Sequence, residues 1–124
     1  MNILLVGAGG FIGAVARYGI VVGADKLISP SFPWGVLTAN IFGSLLIGVL
    51  AGIADGRHVF SNEARLFLFI GALGGFTTFS SITNDTMALV RSSNYGAALG
   101  NIALSLILGL SAVAIGYAIA KPAA

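Results

Sequence analysis

Four long apolar stretches, separated by a few polar or helix-breaking residues, dominate the pattern of this sequence. A helix needs about 20 apolar residues to cross the hydrocarbon core of a bilayer. The stretches at about 3–24, 35–54, 63–91 and 95–120 meet this length. The pattern therefore predicts an all-α membrane protein with four transmembrane helices, in a single domain that spans residues 1–124.

The third stretch is interrupted near its middle, at 74–80, where glycine, threonine and serine replace the apolar residues of an ordinary span. Gly71, Gly74 and Gly75 weaken a helix because glycine leaves the backbone unrestrained. Irregular backbone at membrane depth persists only where protein buries it or where it lines a wet cavity. We therefore expect a broken third helix and place the functional centre of the chain at this break.

The composition excludes several classes of protein. Only 8% of the residues are charged, whereas a soluble domain has about 25%. The chain contains no cysteine, one histidine and four acidic residues, which excludes thiol chemistry and leaves little for an enzyme. A net charge of +2 without a basic run gives no indication of nucleic-acid binding. We expect a non-enzymatic protein in a lipid bilayer, and we interpret the first apolar stretch as a span and not as a cleaved signal peptide.

The positive charges are divided evenly between the two sides of the predicted bundle. Three fall on each side: Arg57, Arg65 and Lys121 on one, and Arg17, Lys26 and Arg91 on the other. The positive-inside rule sets the orientation of a membrane protein through an excess of Lys and Arg on one side. This chain has almost no such excess, so we expect insertion in both orientations. Two opposed copies would then form an antiparallel dual-topology dimer, with a two-fold axis in the membrane plane.

Three motifs, in matching order and spacing, resemble a known family of membrane channels. They are the segments 9–18 (GGFIGAVARY), 33–40 (PWGVLTAN) and 74–80 (GGFTTFS). Together they are similar to the fluoride channels known as Fluc or CrcB, and the resemblance extends over all four spans. It implies a dual-topology homodimer in the inner (plasma) membrane, with two fluoride pores and a structural sodium ion at the dimer interface.

Asn40 is the one strongly polar residue of the second apolar stretch. Its amide donates two hydrogen bonds, and a pore for fluoride, a small and strongly hydrated anion, has to replace lost water with donors. Alternatively, Asn40 makes an interhelical hydrogen bond that only holds helices together. The resemblance matches it to a pore-lining asparagine, and we predict that Asn40 lines the fluoride pore.

Phe79 is a second candidate for the pore, because the edge of an aromatic ring is positive and can face an anion. A core aromatic is the ordinary alternative, and only the resemblance favours the pore. The family has a second phenylalanine three residues later, whereas this sequence has Ile82. Isoleucine has no positive ring edge, so half of the implied aromatic lining is missing and the resemblance does not fix the conduction rate.

The fourth apolar stretch carries Asn101 and Ser105, which lie four residues apart and therefore share one helix face. The resemblance matches Ser105 to a pore-facing serine, whereas Asn101 falls where some relatives have tyrosine. Ser81, beside the break, is a further hydroxyl donor for the pore. The alternatives are hydrogen bonds between helices for Asn101 and Ser105, and a hydrogen bond to its own helix for Ser81.

Two further sites follow from the same resemblance. It matches Gly74 and Thr77 to positions whose backbone carbonyls bind the central sodium ion; the alternative is a glycine kink for close packing, without an ion. Arg17, late in the first span, is either a vestibule charge that attracts anions or an anchor for lipid headgroups. We predict the sodium site at Gly74 and Thr77 and the vestibule at Arg17.

The function predicted on these grounds is passive export of cytoplasmic fluoride, which relieves fluoride toxicity. A small dual-topology multidrug exporter would also have four short spans, but it needs a membrane-embedded carboxylate to exchange protons for cations. No Asp or Glu lies in the first, second or fourth stretch. A non-transporting assembly subunit would fit the glycine-rich helix faces, but it would give the broken third helix no purpose.

Overall fold

The computed structural model of the chain describes residues 1–28, 32–55 and 59–121. Those residues form helices joined by short connections. Four helices are long and apolar enough to cross a membrane: α1 (Asn2–Leu27), α2 (Trp34–Ala54), α3 (Asn62–Arg91) and α4 (Tyr95–Ala120). The chain is therefore an all-α, multi-pass membrane protein, as the apolar pattern predicts. Arg57, one of the charges in the orientation prediction, lies outside the described residues.

Local sequence signals account for where α2 and α3 begin. Pro33 immediately precedes α2, in keeping with the preference of proline for helix starts. At the start of α3, the Oγ atom of Ser61 accepts a hydrogen bond from the N–H of Ala64 at 3.1 Å. Glu63 places a carboxylate in the first turn of that helix, where the positive end of the helix dipole favours it.

α3 changes its helical form along its length. It begins as an α-helix at Asn62–Arg65, widens into a π-helix over Leu66–Leu73, and returns to α-helix at Gly74–Phe76. After a break, it continues as an α-helix over Phe79–Arg91, which we call the second part of α3. π-Helical turns are rare and often occur at functional sites. Within the predicted range 74–80, the break lies at Thr77 and Thr78, and about one α-helical turn separates it from the π-helical region.

The closest helix pairs in the bundle skip one helix: α1 packs along the π-helical region of α3, and α2 packs along α4. Glycine brings the backbones of both pairs together. A Cβ atom at Gly13 would overlap the backbone of Ala72, and one at Gly48 would overlap the backbone of Val113. Such small-residue contacts provide the van der Waals packing that associates helices in lipid. The second part of α3 packs mainly against α4.

Large apolar side chains cover the outer surface of the bundle. Residues with more than two thirds of their surface exposed include Leu4, Phe11, Leu99, Leu110 and Ile119. A helix that is apolar on its outer face as well as its inner face is typical of a membrane span. The outer surface is therefore one that lipid can cover.

Candidate functional site

The break in α3 consists of two threonines in extended conformation. Thr77 has φ −95° and ψ 155°, and Thr78 has φ −151° and ψ 122°. The Oγ1 atom of Thr78 accepts a hydrogen bond from the N–H of Ser81 at 3.2 Å, so Thr78 is the N-cap of the second part of α3. A hydroxyl in this position satisfies a backbone donor that has no partner within the helix.

Asn40 of α2 binds the backbone of the break through both of its polar atoms. Its Oδ1 atom accepts a hydrogen bond from the N–H of Thr78 at 2.8 Å, and its Nδ2 atom donates to the carbonyl of Thr78 at 3.0 Å. The amide of asparagine has two N–H bonds, and Thr78 takes one of them. Asn40 therefore holds the break in place and keeps a second donor for another partner.

These contacts remove the usual helical partners of two backbone carbonyls. In a continuous α-helix, the Gly74 carbonyl would accept from the N–H of Thr78, and the Thr77 carbonyl from the N–H of Ser81. Here the Thr78 N–H donates to Asn40, and the Ser81 N–H donates to the Thr78 hydroxyl. Carbonyls released from a broken helix are suitable ligands for a sodium ion. The residues present therefore fit the predicted cation site at Gly74 and Thr77.

A cavity of about 320 Å³ lies beside the break, and we call it the break cavity. It brings together six of the predicted site residues: Asn40, Gly74, Thr77, Phe79, Ile82 and Ser105. The Ser105 hydroxyl is buried and has no hydrogen-bond partner within the described part of the chain. An amide and a hydroxyl, both hydrogen-bond donors, therefore converge on a cavity whose other walls are mostly apolar.

Two of the predicted residues line a different cavity. Arg17 and Ser81 line a smaller cavity of about 230 Å³, together with Ala14, Tyr18, Val21 and Val36. Among residues 1–28, 32–55 and 59–121, the buried Nε atom of Arg17 has no hydrogen-bond partner. The guanidinium of Arg17 places a positive charge at this second cavity, and the vestibule role stays a prediction.

Asn101 does not line the break cavity in the single chain. Its side chain is only 2% exposed, and its Nδ2 atom donates to the hydroxyl of Thr86 at 3.0 Å. It also approaches the carbonyl of Ile82 at 3.4 Å. Asn101 thus faces the second part of α3, one helical turn from Ser105 on the same helix.

Sequence reasoning did not single out Thr78, which organises the site, or Asp25, which lines a separate cavity. Thr78 lies within the recognised motif, and a threonine directly before a renewed helix is the ordinary signal for an N-cap. Asp25 lines a cavity of about 520 Å³ together with Asp85, where the end of α1 meets the end of α3. Its position directly after the first predicted span gives no indication that a second carboxylate lies nearby.

Similarity to known proteins extends over nearly the whole chain. Residues 4–117 match the family model described as "CrcB-like protein, Camphor Resistance (CrcB)". The chain is 45% identical over 121 residues to the fluoride-specific ion channel FluC of Agrobacterium fabrum, covering 98% of this chain and 97% of that protein. It is 44% identical over 121 residues to FluC of Parabacteroides distasonis, covering 98% and 94%. It is 41% identical over 119 residues to FluC of Nitrobacter winogradskyi, covering 96% and 94%. With these matches along a four-helix membrane fold, the chain belongs to the CrcB family.

Proposed function

We propose that this chain forms a channel through which fluoride leaves the cytoplasm passively. The observation that carries the proposal is the similarity described above, because each of the three relatives is named a fluoride-specific ion channel and aligns along nearly its full length. The break cavity supplies compatible chemistry at membrane depth. We place the protein in the inner (plasma) membrane, where such a channel would connect the cytoplasm with the outside.

Hydrogen-bond donors in the break cavity account for how a dehydrated fluoride ion would be accommodated. The second N–H of Asn40 and the unpaired hydroxyl of Ser105 both line this cavity. Each would replace part of the hydration shell that the ion loses. Phe79 adds a ring whose positive edge can approach an anion, whereas Ile82 contributes only apolar surface.

The membrane potential is sufficient to drive the proposed export. Moving one elementary charge through 100 mV releases about 2.3 kcal/mol, which corresponds to roughly a fifty-fold concentration gradient. A negative interior therefore expels an anion through any open and selective path, and no energy-coupling site is required.

A second copy of the chain, in the opposite orientation, completes the proposed channel. Phe79 is 76% exposed in the single chain, and it borders an almost entirely apolar groove of about 530 Å³ between the second part of α3 and α4. An exposed aromatic beside this groove is where a partner of matching shape would bury apolar surface. The even division of positive charges supports an antiparallel arrangement. A two-fold axis would then generate two equivalent pores.

The same axis would bring together two copies of the break. We propose that a sodium ion is held there by the backbone carbonyls of Gly74 and Thr77 from both chains. Gly74 is exposed in the single chain, so its carbonyl remains accessible to a partner. By binding carbonyls from both chains, the cation would stabilise the contact between the two breaks.

Fluoride efflux from liposomes tests the proposed function. Vesicles containing the purified protein are loaded with potassium fluoride, valinomycin is added in a potassium gradient, and a fluoride electrode follows the release. Matched vesicles loaded with potassium chloride measure selectivity. We expect rapid fluoride release and no chloride release; the absence of fluoride release from vesicles with cross-linked, intact dimers would contradict the proposal.

The dual orientation has its own test, because the chain contains no cysteine. A Lys26→Cys variant, altered at the end of α1, is labelled with a membrane-impermeant maleimide from one side of intact cells or vesicles. We expect about half of the molecules to react from each side. Complete labelling from a single side would exclude the antiparallel dimer and leave the fluoride test unaffected.

A further inference from the structure

A buried polar link joins α4 to the second part of α3. Asn101 is 2% exposed and Thr86 is 8% exposed, although both side chains are polar. The Nδ2 atom of Asn101 donates to the Thr86 hydroxyl at 3.0 Å, and that hydroxyl donates to the carbonyl of Ile82 at 2.7 Å. Asn101 also donates directly to the same carbonyl at 3.4 Å. The three groups therefore form a closed set of hydrogen bonds.

The direction of these hydrogen bonds follows from the chemistry of the groups. The hydroxyl of Thr86 has one hydrogen, which goes to the Ile82 carbonyl because a carbonyl can only accept. The oxygen of Thr86 must therefore accept from the amide of Asn101. A buried group that loses such a partner is left unsatisfied, and this makes the set sensitive to the removal of any member.

The link connects two walls of the break cavity. Ile82 and Ser105 both line that cavity, and Ser105 lies one helical turn after Asn101 on α4. Among the described residues, the contacts of Asn101 are the only side-chain hydrogen bonds between α4 and the second part of α3. Asn40 holds the other end of this segment through Thr78. The first two turns of the second part of α3 are thus fixed at both ends.

We propose that Asn101 is a positioning residue of the channel, which acts through Thr86 and the Ile82 carbonyl to set the separation of Ile82 and Ser105. Asn101 itself does not contact the ion. This inference rests on the proposed fluoride channel, and it assigns to Asn101 a different role from the direct pore lining expected from the sequence. Its consequence is that conduction through each channel depends on a hydrogen bond outside the ion path.

The inference is tested by removing the two side chains of the link, separately and together. Asn101→Leu and Thr86→Val each remove the polar atoms with little change in size, and Thr86→Ser retains the hydroxyl. Asn84→Leu is the matched control, because Asn84 is exposed on the same part of α3 and makes no side-chain hydrogen bond among the described residues. The measurement is fluoride efflux at low protein density, where the amplitude counts vesicles with a channel and the rate constant reports conduction through each one.

We expect the rate constant to fall about threefold to tenfold in Asn101→Leu and in Thr86→Val, the range that the loss of one buried interhelical hydrogen bond implies. The double variant should be no slower than the slower single variant, because both act through one link. Thr86→Ser and Asn84→Leu should keep the wild-type rate constant.

Three results would overturn the inference: an unchanged rate constant in Asn101→Leu, a loss in Thr86→Ser equal to that in Thr86→Val, or additive losses in the double variant. A residue that only stabilises the fold would lower the amplitude and leave the rate constant unchanged, which would also overturn it. Failure of the wild-type protein to release fluoride would instead contradict the proposed function.

Discussion

Substitution of Asn40 by aspartate should abolish fluoride conduction while preserving the shape of the side chain. The bond from the Thr78 N–H, 2.8 Å long, can persist, because an oxygen still accepts it. The other carboxylate oxygen takes the place of Nδ2, 3.0 Å from the Thr78 carbonyl, so two acceptors oppose each other. The substitution also removes the donor that we assign to fluoride and introduces a negative charge.

The size of the effect follows from the dimensions of the break cavity. A sphere of about 320 Å³ has a radius of about 4 Å, so an anion at its centre lies at about that distance from a charge on the wall. Two like charges about 4 Å apart repel by about 4 kcal/mol at an effective dielectric constant of about 20. We therefore expect efflux to fall by a factor of about 10³, to the level of protein-free vesicles.

The assay is the fluoride electrode measurement on liposomes, with dimers verified by cross-linking. Asn94→Asp is the matched control: it makes the same chemical change at an exposed residue in the N-cap position of α4, where the side chain makes no capping hydrogen bond. A carboxylate at a helix N-terminus is favourable, so this variant should conduct as the wild type does. Conduction by Asn40→Asp within tenfold of the wild type would refute the reasoning that an ion passes through the break cavity.

Three further predictions address the break, the packing and the cation. Thr78→Val removes the N-cap hydroxyl of the second part of α3, and we expect a loss of about 1 kcal/mol, measured as a lower unfolding midpoint in detergent. Gly13→Ala forces a Cβ atom against the backbone of Ala72 and should cost about 1–3 kcal/mol, whereas Gly7→Ala, with open space around it, should not lower the unfolding midpoint. Replacement of sodium by N-methylglucamine on both sides should slow fluoride efflux; unchanged efflux after complete exchange would contradict the cation site.

The four helices and the break were predictable because their signals are local. Span length and apolar composition define the helices, and the glycines and threonines near Thr77 mark the break. The π-helix at Leu66–Leu73 was not predictable, because its residues form an ordinary apolar run. Its environment is set by α1, where the backbones of Gly9 and Gly71 are in close contact. A single sequence does not reveal which distant helix imposes such a contact.

In the candidate site, too, local signals could be predicted from the sequence, whereas contacts between distant residues could not. Asn40 could be selected as an isolated amide in an apolar span, but its attachment to Thr78 depends on backbone groups that only the break makes available. The spacing of Asn101 and Ser105 predicts a shared face. It could not indicate that Thr86 would lie opposite Asn101 and bury it, since that depends on how α3 and α4 are aligned.

The interleaved pairing of helices determines when the fold can form during synthesis. α1 makes its closest contacts with α3, and α2 makes its closest contacts with α4, so neither the first two helices nor the last two form a finished unit. The ribosome delivers the helices in order, so α1 and α2 each have to wait in the bilayer for a partner two helices later. Assembly is therefore completed only after the fourth helix has been inserted. The orientation of such a bundle can be decided for all four helices together, in keeping with the prediction that the charges of this chain favour neither side of the membrane.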